Sequence, residues 1–184
     1  MEDELIDITD ENGNPLGKAV PKSEIHKNGL YHHTAHLWLY THDKNILLQQ
    51  RAASKSICPL MWDVSVAGHV DAGETVEHAA ARECFEELGL KVNTSDFEKV
   101  GIFPCFQTYD NGIKDFEFHN TFICQFEDPI SELQIDPIEV ENIKLVNFIE
   151  FEHLLEHSGN NNHFVPSNRK YYETVLQSIR NKFN

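Results

Sequence analysis

The amino-acid sequence predicts one mixed α+β domain. Three observations carry that prediction. The chain has 184 residues, within the roughly 100–200 residues of a single domain. Hydrophobic residues make up 40% and charged residues 24%, the balance of a globular protein rather than a disordered or fibrous one. Short runs of strand character recur along the chain with helical segments set between them, and no internal repeat or linker interrupts the pattern.

Leu5 to Thr9 alternates apolar and polar residues, as a half-buried strand does. Glu11-Asn12-Gly13-Asn14-Pro15 then supplies turn residues. His36 to Tyr40 and Asn45 to Gln50 read as strands joined by the hairpin-length turn Thr41 to Lys44. Trp62 to Ala67 reads as one further strand, closed by Gly68. The clearest helix is Thr75 to Leu88: Thr75 or Glu74 can begin it, and Gly89 sits where a left-handed cap ends it. Ala81, Cys84, Phe85 and Leu88 recur at helical spacing and predict its apolar stripe. Strands follow at Lys99 to Phe103, Phe116 to Phe126 and Lys144 to Ile149. Helices are predicted over Ile149 to Glu156 and Arg169 to Lys182, with a loop over 158–163 between them.

Lysine and arginine number 15 against 30 aspartates and glutamates, a net charge of −15. Such a chain repels phosphate backbones, so a nucleic-acid duplex is not an expected partner. Cys58, Cys84, Cys105 and Cys124 form no C-x-x-C pair, which argues against a zinc ribbon or a redox dithiol. Free thiols fit a reducing, cytoplasmic setting. Met1 to Asp10 lacks the basic and apolar regions of a secretory signal, and no apolar run is long enough to span a membrane. Eleven histidines are present, and His26, His32, His33 and His36 fall close together.

The segment Gly68 to Leu90, GHVDAGETVEHAAARECFEELGL, carries the chemistry. Glu83, Glu86 and Glu87 stand at i, i+3 and i+4 on the predicted helix, on one face nearly opposite the apolar stripe. Like charges so placed repel, and no lysine lies between Ser56 and Leu90 to relieve them. A divalent cation removes the penalty: Mg²⁺ takes oxygen ligands and keeps waters and substrate phosphates in its shell. A merely solvated acidic face is the alternative reading of three glutamates alone.

The spacing resembles the Nudix box, G-x(5)-E-x(7)-R-E-U-x-E-E-x-G-U with U aliphatic. The matches are Gly68, Glu74, Arg82, Glu83, Glu86, Glu87, Gly89 and Leu90, with Cys84 at the first U position. Seven fixed positions at roughly 5–7% each coincide by chance about once in 10⁸–10⁹ starts. The resemblance implies a mixed sheet sandwiched between helices and hydrolysis of a diphosphate compound, the box glutamates binding Mg²⁺ or Mn²⁺. It implies Glu83, Glu86 and Glu87 as ligands, one of them doubling as base, Arg82 as their orienting partner, and Glu74 as a brace. Glu117, Glu139 and Asp115 are candidates for a base or ligand outside the box; a solvated surface role is the alternative for each. Gly68 and His69 are further substrate-binding candidates. A small-molecule diphosphate is the expected substrate, and a homodimer is allowed.

A finer resemblance covers almost the whole chain. HKNGLYH and QQRAASKSICPLMWDVSVAGHVDAGE look like the branch containing type I isopentenyl-diphosphate isomerases. It implies a metal held by His26, His33 and His69 with Asp115 and Glu117. The departures point away from isomerisation. The isomerases place a proton-transferring cysteine just before Gly-His, where this chain has Ala67. Their late tryptophan has no counterpart, since Trp38 and Trp62 both come early. The box, by contrast, is complete. The leading reading is a metal-dependent diphosphate hydrolase on an isomerase-like scaffold; the alternatives are isomerase chemistry and a non-catalytic ligand sensor. Arg51 and Lys55 could meet the diphosphate. Phe103, Phe106, Tyr109, Phe116 and Phe118 could wall a base or prenyl group, or simply belong to the core.

Overall fold

The computed structural model describes residues 4–158, 163 and 169–184. Its elements are β1 (Leu5–Thr9), β2 (Pro15–Pro21), α1 (Lys22–Asn28), β3 (His32–Tyr40), β4 (Asn45–Arg51), β5 (Trp62–Asp63), β6 (Val66–His69), α2 (Val76–Leu88), β7 (Glu98–Thr108), β8 (Lys114–Gln125), β9 (Val140–Asn147), α3 (Phe148–Glu156) and α4 (Arg169–Arg180). The hub is β3. It runs parallel to β8 from His32↔Glu117 to Tyr40↔Gln125 and antiparallel to β6 from Thr34↔His69 to Leu37↔Val66. On the outer side of β8 lies β7, antiparallel. Beyond the end of β3, β4 pairs antiparallel with β9 and β5.

Alternation along β3 builds two cores. Ala35, Leu37 and Leu39, with Leu47 and Phe122, pack against Ala79, Ala80, Cys84 and Leu88 of α2. Trp38 and Tyr40, with Ile46, Leu48 and Ile123, pack against Phe151 of α3 and Tyr171, Tyr172, Val175 and Ile179 of α4. The result is the expected mixed sheet between helices. Each fully buried aliphatic side chain here contributes roughly 1.5–3 kcal/mol.

Several elements depart from the sequence pattern, each for a physical reason. β2 is largely exposed and has no apolar periodicity; backbone pairing with β1 makes it a strand. α1 buries only Ile25 and ends on Gly29. The predicted strand Trp62 to Ala67 is two strands with different partners, β5 on β4 and β6 on β3. Ser65 sits at the break, fully buried: its Oγ accepts from the Leu39 amide at 2.8 Å and donates to the Leu47 carbonyl at 2.6 Å. β7 runs through Pro104, where the sequence suggests an end. A proline is tolerated there because β7 is an edge strand among the described residues, paired with β8 alone. Asn147, placed in a strand by pattern, also caps α3, its side chain accepting from the Glu150 amide.

The helix α2 starts and stops as predicted. Thr75 accepts from the His78 amide, and Gly89 closes the helix at φ 68°. Its buried face, however, is rotated from the expected stripe. Phe85 is 51% exposed and Ala81 half-buried, whereas Ala79, Ala80, Cys84, Glu87 and Leu88 are buried. A helical period fits both registers. The pattern chooses Phe85 over Glu87 on hydrophobicity, but packing turns Glu87 inward. The loop over 158–163 lies mostly outside the described residues. No helix among those described is long and apolar enough to cross a membrane.

Replacing Ser65 by alanine orphans a buried amide and a buried carbonyl at the sheet switch. The expected loss is about 2–4 kcal/mol of unfolding free energy, read from urea denaturation. A loss below about 0.5 kcal/mol would mean that these bonds do not hold the switch.

Candidate active site and metal centre

Strand register writes the site onto one sheet face. His32 of β3 stands beside Glu117 of β8, and Glu117 beside Cys105 of β7. The next row is His69, Thr34, His119 and Phe103; the row after it is Ala67, His36 and Thr121. These rows lie on the same face of β3 as Trp38 and Tyr40, so that face is polar at one end and apolar at the other. The polar end lines a cleft of about 590 Å³ whose walls also carry Glu83, Glu86 and Glu87.

A histidine–carboxylate cluster occupies one part of the cleft. The ring centroids of His26 and His69 are 5.3 Å apart, and those of His32 and His69 5.1 Å. His26 Nδ1 lies 3.4 Å from Asp115 Oδ1, and His32 Nε2 lies 3.7 Å from Glu117 Oε1. Ligand atoms of His32, His69 and Glu117 all fall within 4.8 Å of one another. His26 Nδ1, His32 Nε2, His69 Nε2 and Asp115 Oδ1 are buried without hydrogen-bond partners. Buried polar atoms are rarely left unpaired; His32 Nε2 and His69 Nε2, gathered with Glu117, fit a cation, and the His26–Asp115 pair adjoins them. Imidazole with carboxylate suits Zn²⁺, Mn²⁺ or Fe²⁺ better than an all-oxygen site does. Burial drives the His69 ring well below the usual histidine range, toward the neutral form that a metal needs.

The expected ligand His33 is not part of this cluster. It points to the other face of β3, where Nε2 meets the Gly13 carbonyl at 3.1 Å and Nδ1 accepts from Asn120 at 3.0 Å. Its neighbour His32 takes the place beside His26 and His69. The alternation of side chains along a strand decides between adjacent histidines, and a spacing count from His26 does not see it.

The box carboxylates are organised by Arg82. Its guanidinium donates to Glu74 at 2.9 and 3.2 Å, to Glu83 at 2.7 Å, to Glu86 at 3.1 Å and to the His69 carbonyl at 2.9 Å. It takes one oxygen of Glu83 and one of Glu86. These ion pairs hold the guanidinium firmly charged despite its partial burial. A Cβ at Gly68 would lie 2.0 Å from the Glu83 carboxyl carbon, so any larger residue there would push that carboxylate out of its place beside Arg82. Glu87 is only 4% exposed, and Gln49 Nε2 and the Ala67 amide donate to it at 3.3 and 3.4 Å. Burial, reinforced by Glu83, raises its carboxyl well above the usual range. The three glutamates therefore do not share one solvated face: Glu86 is exposed, Glu83 half-buried and Glu87 buried.

Glu117 joins this site to a second polar cluster. His119 Nε2 lies 2.8 Å from Glu117 Oε2. Burial opposes charge on Glu117, but the hydrogen bond with His119 and the nearby His32 ring hold its carboxyl well below the usual carboxylate range. Burial likewise opposes the His119 imidazolium, yet Cys105 and Glu117 outweigh it and raise it to about 10. The His36 ring stacks on His119 with centroids 4.0 Å apart and is held neutral by burial and by that neighbour. His36 Nδ1 pairs with the Tyr171 hydroxyl at 2.8 Å.

Of the other predicted residues, Arg51, Lys55 and Glu139 all line the cleft, with Lys55 ion-paired to Glu139. Arg51 Nε donates to the Ile57 carbonyl at 3.0 Å. Among the predicted aromatic wall, Tyr109 alone lines the cleft. Phe106, Phe116 and Phe118 cluster with Tyr31 elsewhere, and Phe103 packs against Tyr171. Sequence reasoning left His32, His36 and His119 without a role and overlooked Asp63 and Tyr171. The available signal was the i, i+2 placement of polar residues in His32, Thr34 and His36, and again in Glu117 and His119.

Comparison with known proteins agrees with this geometry. The NUDIX domain family model matches residues 30–167. Nudix hydrolase 3 of Arabidopsis thaliana is 33% identical over 155 residues, which is 83% of this chain; the chain spans only 20% of that relative's length. Isopentenyl-diphosphate Delta-isomerase 2 of Photorhabdus laumondii is 32% identical over 157 residues, covering 85% of this chain and 84% of that protein. The crystal structure of DR0079 from Deinococcus radiodurans shares the fold, with a TM-score of 0.68 at 18% identity over 98% of this chain and 100% of that one. With the box residues gathered around Arg82 and the family match spanning most of its length, the chain belongs to the Nudix family.

Proposed function

We propose that this chain hydrolyses the phosphoanhydride of a small diphosphate compound with the help of Mg²⁺ or Mn²⁺. The observation that carries this reading is convergence: the box carboxylates, His26, His69 and Asp115 with their unpaired atoms, Glu117, and the cations Arg51 and Lys55 line one cleft. Glu83, Glu86 and Glu87 would hold a divalent ion, and His26, His32, His69, Asp115 and Glu117 a second. Such an ion supplies charge neutralisation at the phosphoryl oxygens and a bound water of lowered pKa. Arg82 keeps one oxygen of Glu83 and of Glu86 fixed, so the carboxylates are oriented in advance. Arg51 and Lys55 would meet the diphosphate, Lys55 exchanging Glu139 for a phosphate oxygen. Glu86, the most exposed of the three, is the carboxylate we assign to accept the proton of the attacking water. Isomerase relatives make allylic isomerisation the second reading. Against it, position 67 is an alanine with no proton to give.

The test is incubation with Mn²⁺ or Mg²⁺ and a panel of nucleoside diphosphate derivatives, isopentenyl diphosphate and geranyl diphosphate. Release of phosphate or a monophosphate is expected; a dimethylallyl product would instead establish the isomerase reading. Glu87→Gln is expected to lower turnover at least about tenfold, measured with folding checked by circular dichroism.

The same variant tests the electrostatics in the metal-free protein. Because the folded-state Glu87 carboxyl lies well above its unfolded value, the folded chain keeps a proton that the unfolded chain releases. Its contribution to stability therefore falls as pH rises from the ordinary carboxylate range toward the folded value. With chelator present, Glu87→Gln should match the wild type near the bottom of that range and melt higher at pH 8. Added Mn²⁺ should raise the melting temperature of the wild type more than that of the variant. Equal pH profiles in scanning fluorimetry would refute the burial argument.

Calorimetric titration with Zn²⁺ or Mn²⁺ distinguishes the adjacent histidines. His32→Ala should weaken binding by at least about tenfold, and His33→Ala should leave it near the wild-type value. The reverse order would return the ligand role to His33.

A further inference from the structure

Away from the cleft, the exposed face of α3 ends in three metal-ligating side chains. The helix buries Phe151, Leu154 and Leu155 and turns Glu152, His153 and Glu156 to solvent, with His157 following as its C-cap. Ligand atoms of His153, Glu156 and His157 all lie within 4.8 Å of one another. Their i, i+3 and i+4 positions put them on one face, within one turn. None of the three lines the cleft.

Two further observations turn this cluster toward a cation. The first is orientation. His157 Nδ1 donates to the His153 carbonyl at 2.9 Å. A carbonyl only accepts, so the hydrogen sits on Nδ1, and in the neutral ring Nε2 keeps a lone pair. A metal-ligating histidine commonly has its second nitrogen fixed in this way. The rings of His153 and His157 stand 4.5 Å apart between centroids, close enough for one ion to take a nitrogen from each. The second observation is charge. The cluster lies at the C-terminal end of α3, where carbonyls without helical partners make the field negative and favour a cation. The cations of the adjoining groove against α4 are taken by other carboxylates: Arg180 pairs with Glu152 at 2.7 Å and Arg169 with Glu173 at 2.7 Å. Glu156 shares that groove, and its charge is left to the two histidines beside it.

Two imidazoles and a carboxylate make a mixed nitrogen–oxygen donor set. It suits Zn²⁺, Ni²⁺ or Cu²⁺ and offers little to Mg²⁺, which takes oxygen. Histidines at i and i+4 on one helix face are a common way of holding zinc. We propose that His153, Glu156 and His157 form a surface site for one borderline transition cation such as Zn²⁺, which fastens the last turn of α3. On its inner side that helix packs Phe151 against Trp38, with ring centroids 5.7 Å apart, so the ion braces the apolar core from outside. The site is separate from the cleft and does not depend on the hydrolase reading.

The test is calorimetric titration with Zn²⁺ of the wild type and of the double variant His153→Ala/His157→Ala. Both substitutions are on the surface, so with chelator present the variant should fold and melt close to the wild type. The wild type should bind one Zn²⁺ per chain more than the double variant, whose cleft is intact. Glu156→Gln should keep that binding event but weaken it at least about tenfold. Zn²⁺ should raise the melting temperature of the wild type more than that of the double variant, because an ion bound only by the folded helix stabilises it; Mg²⁺ should shift both equally. Equal Zn²⁺ stoichiometry and affinity in the wild type and the double variant overturn the proposal. Affinity unmoved in Glu156→Gln overturns the three-ligand site.

Discussion

The pairing of β3 with β8 is the constraint on which the rest depends. It sets His32 beside Glu117, Thr34 beside His119 and His36 beside Thr121. Because side chains alternate, a slip of one residue would send all of these to the opposite face and bring His33 and Asn120 forward. Hydrophobic packing prevents that slip. Trp38 and Ile123 are committed to one core and Leu37 and Phe122 to the other. The apolar half of β3 thus fixes the polar half. Tyr171 of α4 marks the boundary, bonded at once to His36 on the polar side and Trp38 on the apolar side.

The cleft concentrates charge where the fold would otherwise avoid it. Glu87 and Asp115 are raised by burial, and Glu117 is held ionised by two histidines. Arg82 gathers four acceptor groups, and its removal would leave Glu74 and Glu83 facing one another with little solvent. Such an arrangement costs stability in the free protein and is restored by whatever ligand completes it. Proteins commonly depart from local rules at functional sites, and the unpaired atoms here fall mostly in one cleft.

Much of this was legible in the sequence, and the misses share a cause. The mixed α+β class, the caps of α2 and the box residues follow from local pattern, because caps, turns and motifs are short-range. The rotation of α2 does not: its apolar spacing is compatible with either Phe85 or Glu87 facing inward, and only the contact with Gln49 and Ala67 chooses. The split at Ser65 is equally hidden, since WDVSVA carries strand propensity throughout while its two ends pair with different strands. Choosing His32 over His33 requires the phase of β3, which its far apolar end determines. Polar residues at alternate positions of a buried strand were the visible clue to His36 and His119, and composition alone made them look like core or surface.

The edge strand β7 carries Ile102 and Phe106 exposed on its outer face, with Pro104 between them. A long, sticky border of this kind invites the next molecule to extend the sheet. Pro104 has no amide hydrogen to offer a newcomer and keeps its own φ fixed, so any incoming chain would find the ladder interrupted at its middle rung. The ring that made β7 hard to read as a strand thereby serves as a safeguard against self-templated growth.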